Sequence, residues 1–332
     1  MLTVGLIGAG RIGRVHASTI VQDEGSQLVA VADSVDENAK NLAKLYKVNP
    51  RSVDAIFEDN SIEAILIASS TDTHSDFIEK ASKAGKAILC EKPVDLSLAR
   101  AKRCLENTKS NEHLIMMGFN RRFDPNFVAL KKALDGGEIG TAELLSITSF
   151  DPAPPPIDYV KVSGGIFKDM MIHDFDMANF LYGELPKSVF VSASAIIDKK
   201  IGALGDYSTP GATWKYRDGR LAVINNSRRA TYGYDQRIEV LGSKGLLQVQ
   251  NMVENSMVKS TEMGVESSKP EYFFLERYKS AYQNEWTAFV TAVKTKTPMP
   301  VSLSDGIAAL AIAEAAAASA EMGSEVEIAN FL

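Results

Sequence analysis

Asp169 and His173 stand four residues apart within Gly164–Leu181, where Ile166, Met170, Phe175, Met177, Phe180 and Leu181 recur at mostly helical spacing. That spacing puts the carboxylate and the imidazole on one face of a helix. A carboxylate beside an imidazole favours the protonated ring and fixes its orientation, which suits a proton acceptor working near neutral pH. The same two residues could instead be a satisfied pair on a buried helix. They could also be two metal ligands, although no third ligand cluster matches them. Lys92 offers complementary chemistry. It follows Glu91 at the end of an apolar run and precedes Pro93. An ammonium there could hydrogen-bond a reacting hydroxyl and stabilise developing alkoxide charge; the plain alternative is a surface lysine.

These groups need a scaffold, and the N-terminal stretch supplies one. Leu2-Thr-Val-Gly-Leu-Ile7 reads as a buried strand, Gly8-Ala-Gly-Arg-Ile-Gly13 follows at once, and Ile12, Val15, Thr19 and Ile20 mark the inner side of a helix. Strand, Gly-x-Gly-x-x-Gly and helix in that order form the context of a dinucleotide-binding turn. Gly8 permits the tight turn, Gly10 lets the backbone approach a pyrophosphate at the helix N-terminus, and Gly13 allows close helix–strand packing. The second strand, Leu28–Ala32, ends at Asp33, 20 residues beyond Gly13. An acid there accepts from the adenosine ribose hydroxyls. Ser34, Val35 and Asp36 offer no cation for a 2′-phosphate, so the cofactor expected is NAD rather than NADP.

Alternation continues through helix 37–46, a short strand near 55–57, strand 64–68, helix 75–84, strand 87–90, helix 96–107 and strand 114–119. Such alternation predicts a parallel sheet covered on both faces. The loop Ser69–His74 follows the fourth strand at a carboxyl end, where ligands gather in open sheets, and His74 is read as structural support for the next helix. Asn120–Pro125 marks the crossing into a second domain. Beyond it, segments near 143–150, 188–197, 212–216, 220–226, 236–241 and 246–249 read as strands. Several alternate polar and apolar residues, predicting a largely antiparallel sheet with helices on one face. The fold class expected is therefore α/β: a dinucleotide-binding domain over 1–120 and an α+β domain with an open-faced sheet over 121–332. The open face calls for a subunit partner. The proline-rich loop 151–156 stiffens a pocket wall, loop 199–210 is polar and mobile, and Tyr232 and Tyr234 flank a glycine where they could meet a polyol or fill a core.

Composition closes off other classes. The chain has 332 residues, 45% hydrophobic, enough for about two domains with full cores. A net charge of −6 and a pI near 5.4 argue against a general nucleic-acid or membrane-surface binder. Cys90 and Cys104 form neither a redox motif nor a disulfide framework, which fits reduced thiols in a cytoplasm. No leader is expected before the first strand, and the alanine-rich run 307–320 reads as too short and weakly apolar to span a bilayer.

The glycine-rich turn, Glu91-Lys92-Pro93 and the Asp169/His173 helix occur together in one order. In this the chain resembles the glucose–fructose oxidoreductase/inositol dehydrogenase family along essentially its whole length. Gly118–Pro125 and Gly164–Asp176 look most like the inositol 2-dehydrogenases. The resemblance implies that Lys92, Asp169 and His173 are catalytic, with His173 the general base and Asp169 its partner. It implies that Gly8, Gly10, Arg11, Ile12, Gly13, Asp33, Ser69, Thr71, His74, Glu91, Lys92 and Asn120 line the NAD crevice. Arg121, Asp151 and Tyr234 would join Lys92, Asp169 and His173 around a polyol. The activity implied is oxidation of a ring secondary alcohol, foremost myo-inositol to 2-keto-myo-inositol. Scyllo-inositol, an aldose, or a regulatory role without turnover are the alternatives. Many relatives carry methionine where Asn120 stands, a departure that bears on substrate contacts. A homotetramer is the assembly implied, or a dimer. No metal, nucleic-acid or membrane partner is expected.

Overall fold

The computed structural model describes residues 1–332. It divides into two compact units, one of Met1–Phe123 with Ser280–Leu310, the other of Asp124–Lys279 with Ala311–Leu332.

The first unit alternates β1 (Leu2–Ile7), α1 (Arg11–Gln22), β2 (Ser26–Ala32), α2 (Asp36–Tyr46), β3 (Asn49–Pro50), α3 (Val53–Glu58), β4 (Ala64–Ile67), α4 (His74–Lys83), β5 (Ala87–Glu91), α5 (Leu98–Thr108) and β6 (Ile115–Gly118). The strands form one parallel sheet in the order β3-β2-β1-β4-β5-β6. This is the doubly wound dinucleotide-binding arrangement, with its crevice where the strand order reverses beyond β1 and β4. Val4, Leu6, Ala64–Ile67 and Ile88–Cys90 are buried, as strands covered on both faces require.

The expected strand near 55–57 is instead the helix α3. Ser52 caps it by accepting the Ala55 N–H at 3.2 Å, and Ile56 and Phe57 are buried. Three apolar residues cannot separate a helical from a strand period, and the cap decided it.

The second unit begins with α6 (Pro125–Asp135), capped by Asp124, and β7 (Ala142–Phe150). It continues through α7 (Ile157–Val160), a π-helical turn over Phe167–Met171, α8 (Ile172–Tyr182), β8 (Ser188–Ser194), α9 (Lys199–Ala203), β9 (Thr209–Lys215), β10 (Leu221–Ser227), β11 (Asp235–Gly242) and β12 (Gly245–Val249). An exposed hairpin follows, β13 (Val258–Thr261) with β14 (Gly264–Ser267), in the stretch least readable from sequence. The loop expected to be mobile carries α9, which Asp198 caps by accepting the Lys200 N–H at 2.8 Å.

After α10 (Phe274–Arg277) come α11 (Lys279–Thr295), α12 (Leu303–Met322) and β15 (Val326–Glu327). The seven-stranded sheet runs β12-β11-β7-β10-β9-β8-β15 and is antiparallel except for the β7/β10 pair. One face is buried through Leu145, Ile147, Ala222, Ile224, Val240 and Trp214.

Expectation placed everything after residue 120 in the second domain, whereas Ser280–Leu310 groups with the first unit. The reason is packing. Ala281, Glu285, Trp286 and Phe289 of α11 are buried, and Trp286 Nε1 donates to Ser26 Oγ at 2.9 Å. The alanine-rich run forms a 20-residue helix, long and apolar enough to cross a membrane by length and composition. Leu310–Ala313 and Ala315–Ala316 are nevertheless fully buried, as in a core helix.

Candidate functional site

In the first unit the chain turns sharply at Gly8, whose φ is +102°. A side chain there would meet the Ala68 carbonyl oxygen at 2.3 Å, and one at Gly13 would meet the Gly8 carbonyl oxygen at 1.9 Å. Gly10 is different: a Cβ built on it has no atom within 4 Å. It opens α1 without a side-chain cap, so amides of the first helical turn face open space. A compact cradle at a helix N-terminus fits a pyrophosphate.

Asp33 ties this turn to β2. Its Oδ2 accepts the Ala9 N–H at 2.6 Å and its Oδ1 the Val35 N–H at 2.8 Å. A carboxylate has about four acceptor positions, so capacity remains for ribose hydroxyls. The Asn120 Nδ2, buried in the turn after β6, has no protein partner, a further group able to serve a ligand. The chain therefore fits a dinucleotide.

Around the crevice rim, Ser69 Oγ and Thr73 Oγ1 are 2.7 Å apart, and Thr71 opens a short 3-10 turn. His74 is buried at the start of α4, with Nδ1 2.8 Å from the Pro93 carbonyl and Nε2 3.1 Å from that of Ser69. Burial pushes its pKa down, while the Pro93 and Ser69 carbonyls, each able to accept a ring N–H, oppose the shift. This is the structural support read from the sequence: His74 straps the β4 loop to the Glu91-Lys92-Pro93 corner. That corner contains a cis peptide between Lys92 and Pro93.

Glu91 is buried and accepts from His16 Nε2 at 2.7 Å. Sequence reasoning passed over His16, which occupies the inner face of α1, while Val15, taken as inward, is only half-buried. Arg121 is buried beside Asn120.

In the second unit Asp169 lies in the π-helical turn and His173 near the start of α8. The expected uninterrupted α-helix thus holds one wider turn, a feature found often at functional sites. Tyr159 donates its hydroxyl to Asp169 Oδ1 at 2.7 Å. Arg228, 1% exposed at its side chain, sits 3.5 Å from Asp169 Oδ2 and 3.2 Å from Asp206 Oδ2. Asp206 in turn accepts the Ile166 N–H at 2.8 Å and closes on Gly165, whose φ is +80° and where a Cβ would come within 2.9 Å of Asp206 Oδ1.

Beside them, Asp174 accepts from Asn226 Nδ2 at 2.7 Å in the interior. Asp151 ends β7 with its backbone bound on both sides, donating to the Ser227 carbonyl at 2.8 Å and accepting from Ala230 N–H at 2.6 Å. Tyr234 is 5% exposed and meets Phe273 and Tyr278 edge-on, the core arrangement weighed as its alternative. Tyr159, Asp206 and Arg228 were not singled out from sequence. They lie 10, 37 and 59 positions from Asp169, beyond any local pattern. No group of three or more His, Cys, Asp or Glu side chains could hold a metal ion.

Comparison with known proteins bears on the whole chain. Residues 2–119 match the oxidoreductase family with NAD-binding Rossmann fold, and residues 127–248 match the GFO/IDH/MocA C-terminal domain. The chain is 48% identical over 325 residues to an inositol 2-dehydrogenase of Rhizobium meliloti, covering 98% of each. It is 44% identical over 329 residues to a myo-inositol 2-dehydrogenase of Thermotoga maritima, again with 98% of each covered. A crystal structure of a myo-inositol dehydrogenase from Corynebacterium glutamicum superposes with a TM-score of 0.95 at 39% identity, over 98% of both chains.

Proposed function

The chain belongs to the GFO/IDH/MocA oxidoreductase family, and from that premise we propose that it is an NAD-dependent dehydrogenase oxidising a ring secondary alcohol of a cyclic polyol, myo-inositol to 2-keto-myo-inositol (scyllo-inosose). The observation that carries this reading is the near full-length identity to inositol 2-dehydrogenases, joined to a glycine cradle with room for a pyrophosphate. The Asp33 carboxylate at the end of β2, followed by Ser34, Val35 and Asp36, favours NAD over a 2′-phosphorylated cofactor.

Bound NAD supplies the hydride acceptor. His173 takes the hydroxyl proton, and the carbon loses hydride as the C–O bond becomes a carbonyl. Asp169 orients His173 and offsets the imidazolium charge; its own position is supported by the Tyr159 hydroxyl and the Arg228 guanidinium. The Lys92 ammonium hydrogen-bonds the reacting oxygen as negative charge develops. Gly8, Gly10, Arg11, Ile12 and Gly13 bind the pyrophosphate segment and Asp33 the ribose, while Ser69, Thr71, His74, Glu91 and Asn120 shape the crevice. Arg121, Asp151 and Tyr234 shape the polyol end, Tyr234 by holding an aromatic wall in place.

The open face of the second unit's sheet supports a homotetramer. Leu246, Leu241, Leu144 and Leu221 form a cross-strand row there, beside Val223 and Phe190. Leu246, Leu241 and Phe190 are 49%, 43% and 43% exposed, large apolar side chains that a subunit partner would cover. We place the enzyme in the cytoplasm, in myo-inositol catabolism.

A panel of inositol isomers and aldoses, with NAD and NADP, followed by absorbance of the reduced nicotinamide, tests the reading. The expected result is fastest turnover of myo-inositol with NAD. Faster turnover of scyllo-inositol or an aldose would reassign the substrate. Tight NAD binding without turnover of any polyol would replace the enzyme by a regulator. Sedimentation as a monomer at micromolar concentration would refute the assembly.

A further inference from the structure

The buried residues of α11 are Ala281, Tyr282, Glu285, Trp286, Phe289, Val290 and Ala292. One of these seven is a carboxylic acid. Glu285 is wholly buried, and neither oxygen has a hydrogen-bond partner. No cation compensates it: the charge that bears on it is that of Glu91. Burying an unpaired carboxyl is costly, and an apolar residue would satisfy this stripe without that cost. Glu91 is the residue before Lys92. It is held by His16 Nε2 at 2.7 Å, and the other His16 nitrogen, Nδ1, is buried without a partner. The His16 ring also meets the edge of Tyr282, one turn before Glu285 on α11, at 5.5 Å between centroids. His16, Glu91, Tyr282 and Glu285 therefore form one buried cluster behind the Glu91-Lys92-Pro93 corner. All four belong to the first unit.

We propose that Glu285 is kept as a neutral carboxylic acid and acts as a positioning residue, fixing with His16 the Glu91 carboxylate and, through the next peptide, the Lys92 ammonium. The inference rests on the role given to Lys92 above. While Glu285 is neutral, Glu91 faces one strong donor, His16. When Glu285 ionises, two carboxylates repel in a buried setting. The cluster then relaxes by a shift of the Glu91 carboxylate, which moves the residue before Lys92. The charge bearing on Glu285 is that of Glu91 from β5, and the further titratable groups joined to Glu91 are His16 from α1 and, through the His16 ring, Tyr282 of α11. Burial, reinforced by the Glu91 charge, pushes the Glu285 carboxyl well above its ordinary value, so its ionisation comes as pH rises.

Glu285→Gln keeps the shape and cannot ionise. The test compares pH profiles of kcat, each normalised to its own neutral plateau, with infrared spectra of the NAD-bound enzyme. Where wild type has fallen about tenfold on the alkaline side, Glu285→Gln is expected to have fallen no more than about twofold. The carbonyl stretch of a protonated carboxyl should be present in wild type at neutral pH and absent from the variant. In wild type alone, that band should fade over the pH range in which kcat falls, a measurement that stands even if the variant folds poorly. Superimposable normalised profiles, or no band attributable to Glu285, overturn the inference. A chain that shows the band but oxidises no polyol loses the function proposed above. A chain that oxidises a polyol with a profile indifferent to Glu285 loses this inference alone.

Discussion

Gly10→Ala separates a glycine kept for a ligand from glycines kept for the fold. Gly10 has φ −70° and ψ −162°, extended backbone that alanine also adopts, and a methyl group there meets no protein atom within 4 Å. Alanine is a poorer helix N-cap than glycine but restricts the unfolded chain, and these terms oppose each other at about 0.5–1 kcal/mol each. The fold should be nearly unaffected, with a Tm change of only about 2–3 °C. The methyl group would, however, occupy space that a pyrophosphate needs to reach the amides of α1. Losing one hydrogen bond to a charged group costs about 1.5–3 kcal/mol, which is about 10- to 150-fold in affinity. Gly13→Ala is the contrasting control, because its Cβ would lie 1.9 Å from a backbone oxygen and the turn itself must move. Fluorescence titration with NADH and thermal melts of the two variants decide the matter. Gly10→Ala with wild-type affinity, or with a stability loss equal to that of Gly13→Ala, would refute the reasoning.

Three further outcomes are expected. His173→Ala should lower kcat by about 100- to 10,000-fold while NADH still binds; steady-state rates near wild type would remove His173 as the base. Arg228→Met leaves Asp206 and Asp169 without their buried cation, and should cost about 3–5 kcal/mol; urea unfolding of the variant measures it, and an unchanged midpoint contradicts the ion network. Burial alone would raise the Asp235 carboxyl, but hydrogen bonds from Arg237, Tyr232 and Asn251 outweigh it and hold the group below its ordinary value. Its contribution to stability is thus present above the unfolded pKa of about 3.9 and is lost as pH falls through the lower folded value. The destabilisation caused by Asp235→Ala should accordingly shrink as pH drops below about 4, and a pH-independent difference in chemical denaturation would contradict that sign.

What could be read from residues alone followed the range of the interactions involved. Gly8–Gly13 announces a cradle because a turn, a close approach and a helix start are all decided within six residues. The place of Asp33 was legible because it ends a strand a set distance after that turn, and that of His74 because it stands at the start of a helix. Where local signals were short they misled. Ile56 and Phe57 suited a strand as well as a helix until the Ser52 cap chose the helix. Val15 and His16 exchanged places because an α1 face read by hydrophobicity alone leaves out a buried imidazole with a carboxylate partner.

The chain by itself determined the alternating first sheet, the glycine cradle, the strand-end lysine and the placing of an acid and an imidazole four residues apart on one helical segment, since each is written in a window short enough for backbone geometry and side-chain period to dominate. Tertiary structure alone decided that Arg228 and Tyr159 hold Asp169, that α11 packs against the first sheet's unit rather than the second, and that Glu285 lies behind Glu91. Those pairings join residues 10 to 260 positions apart, and the energy that selects them is burial and charge compensation in a packed interior, which no local pattern records.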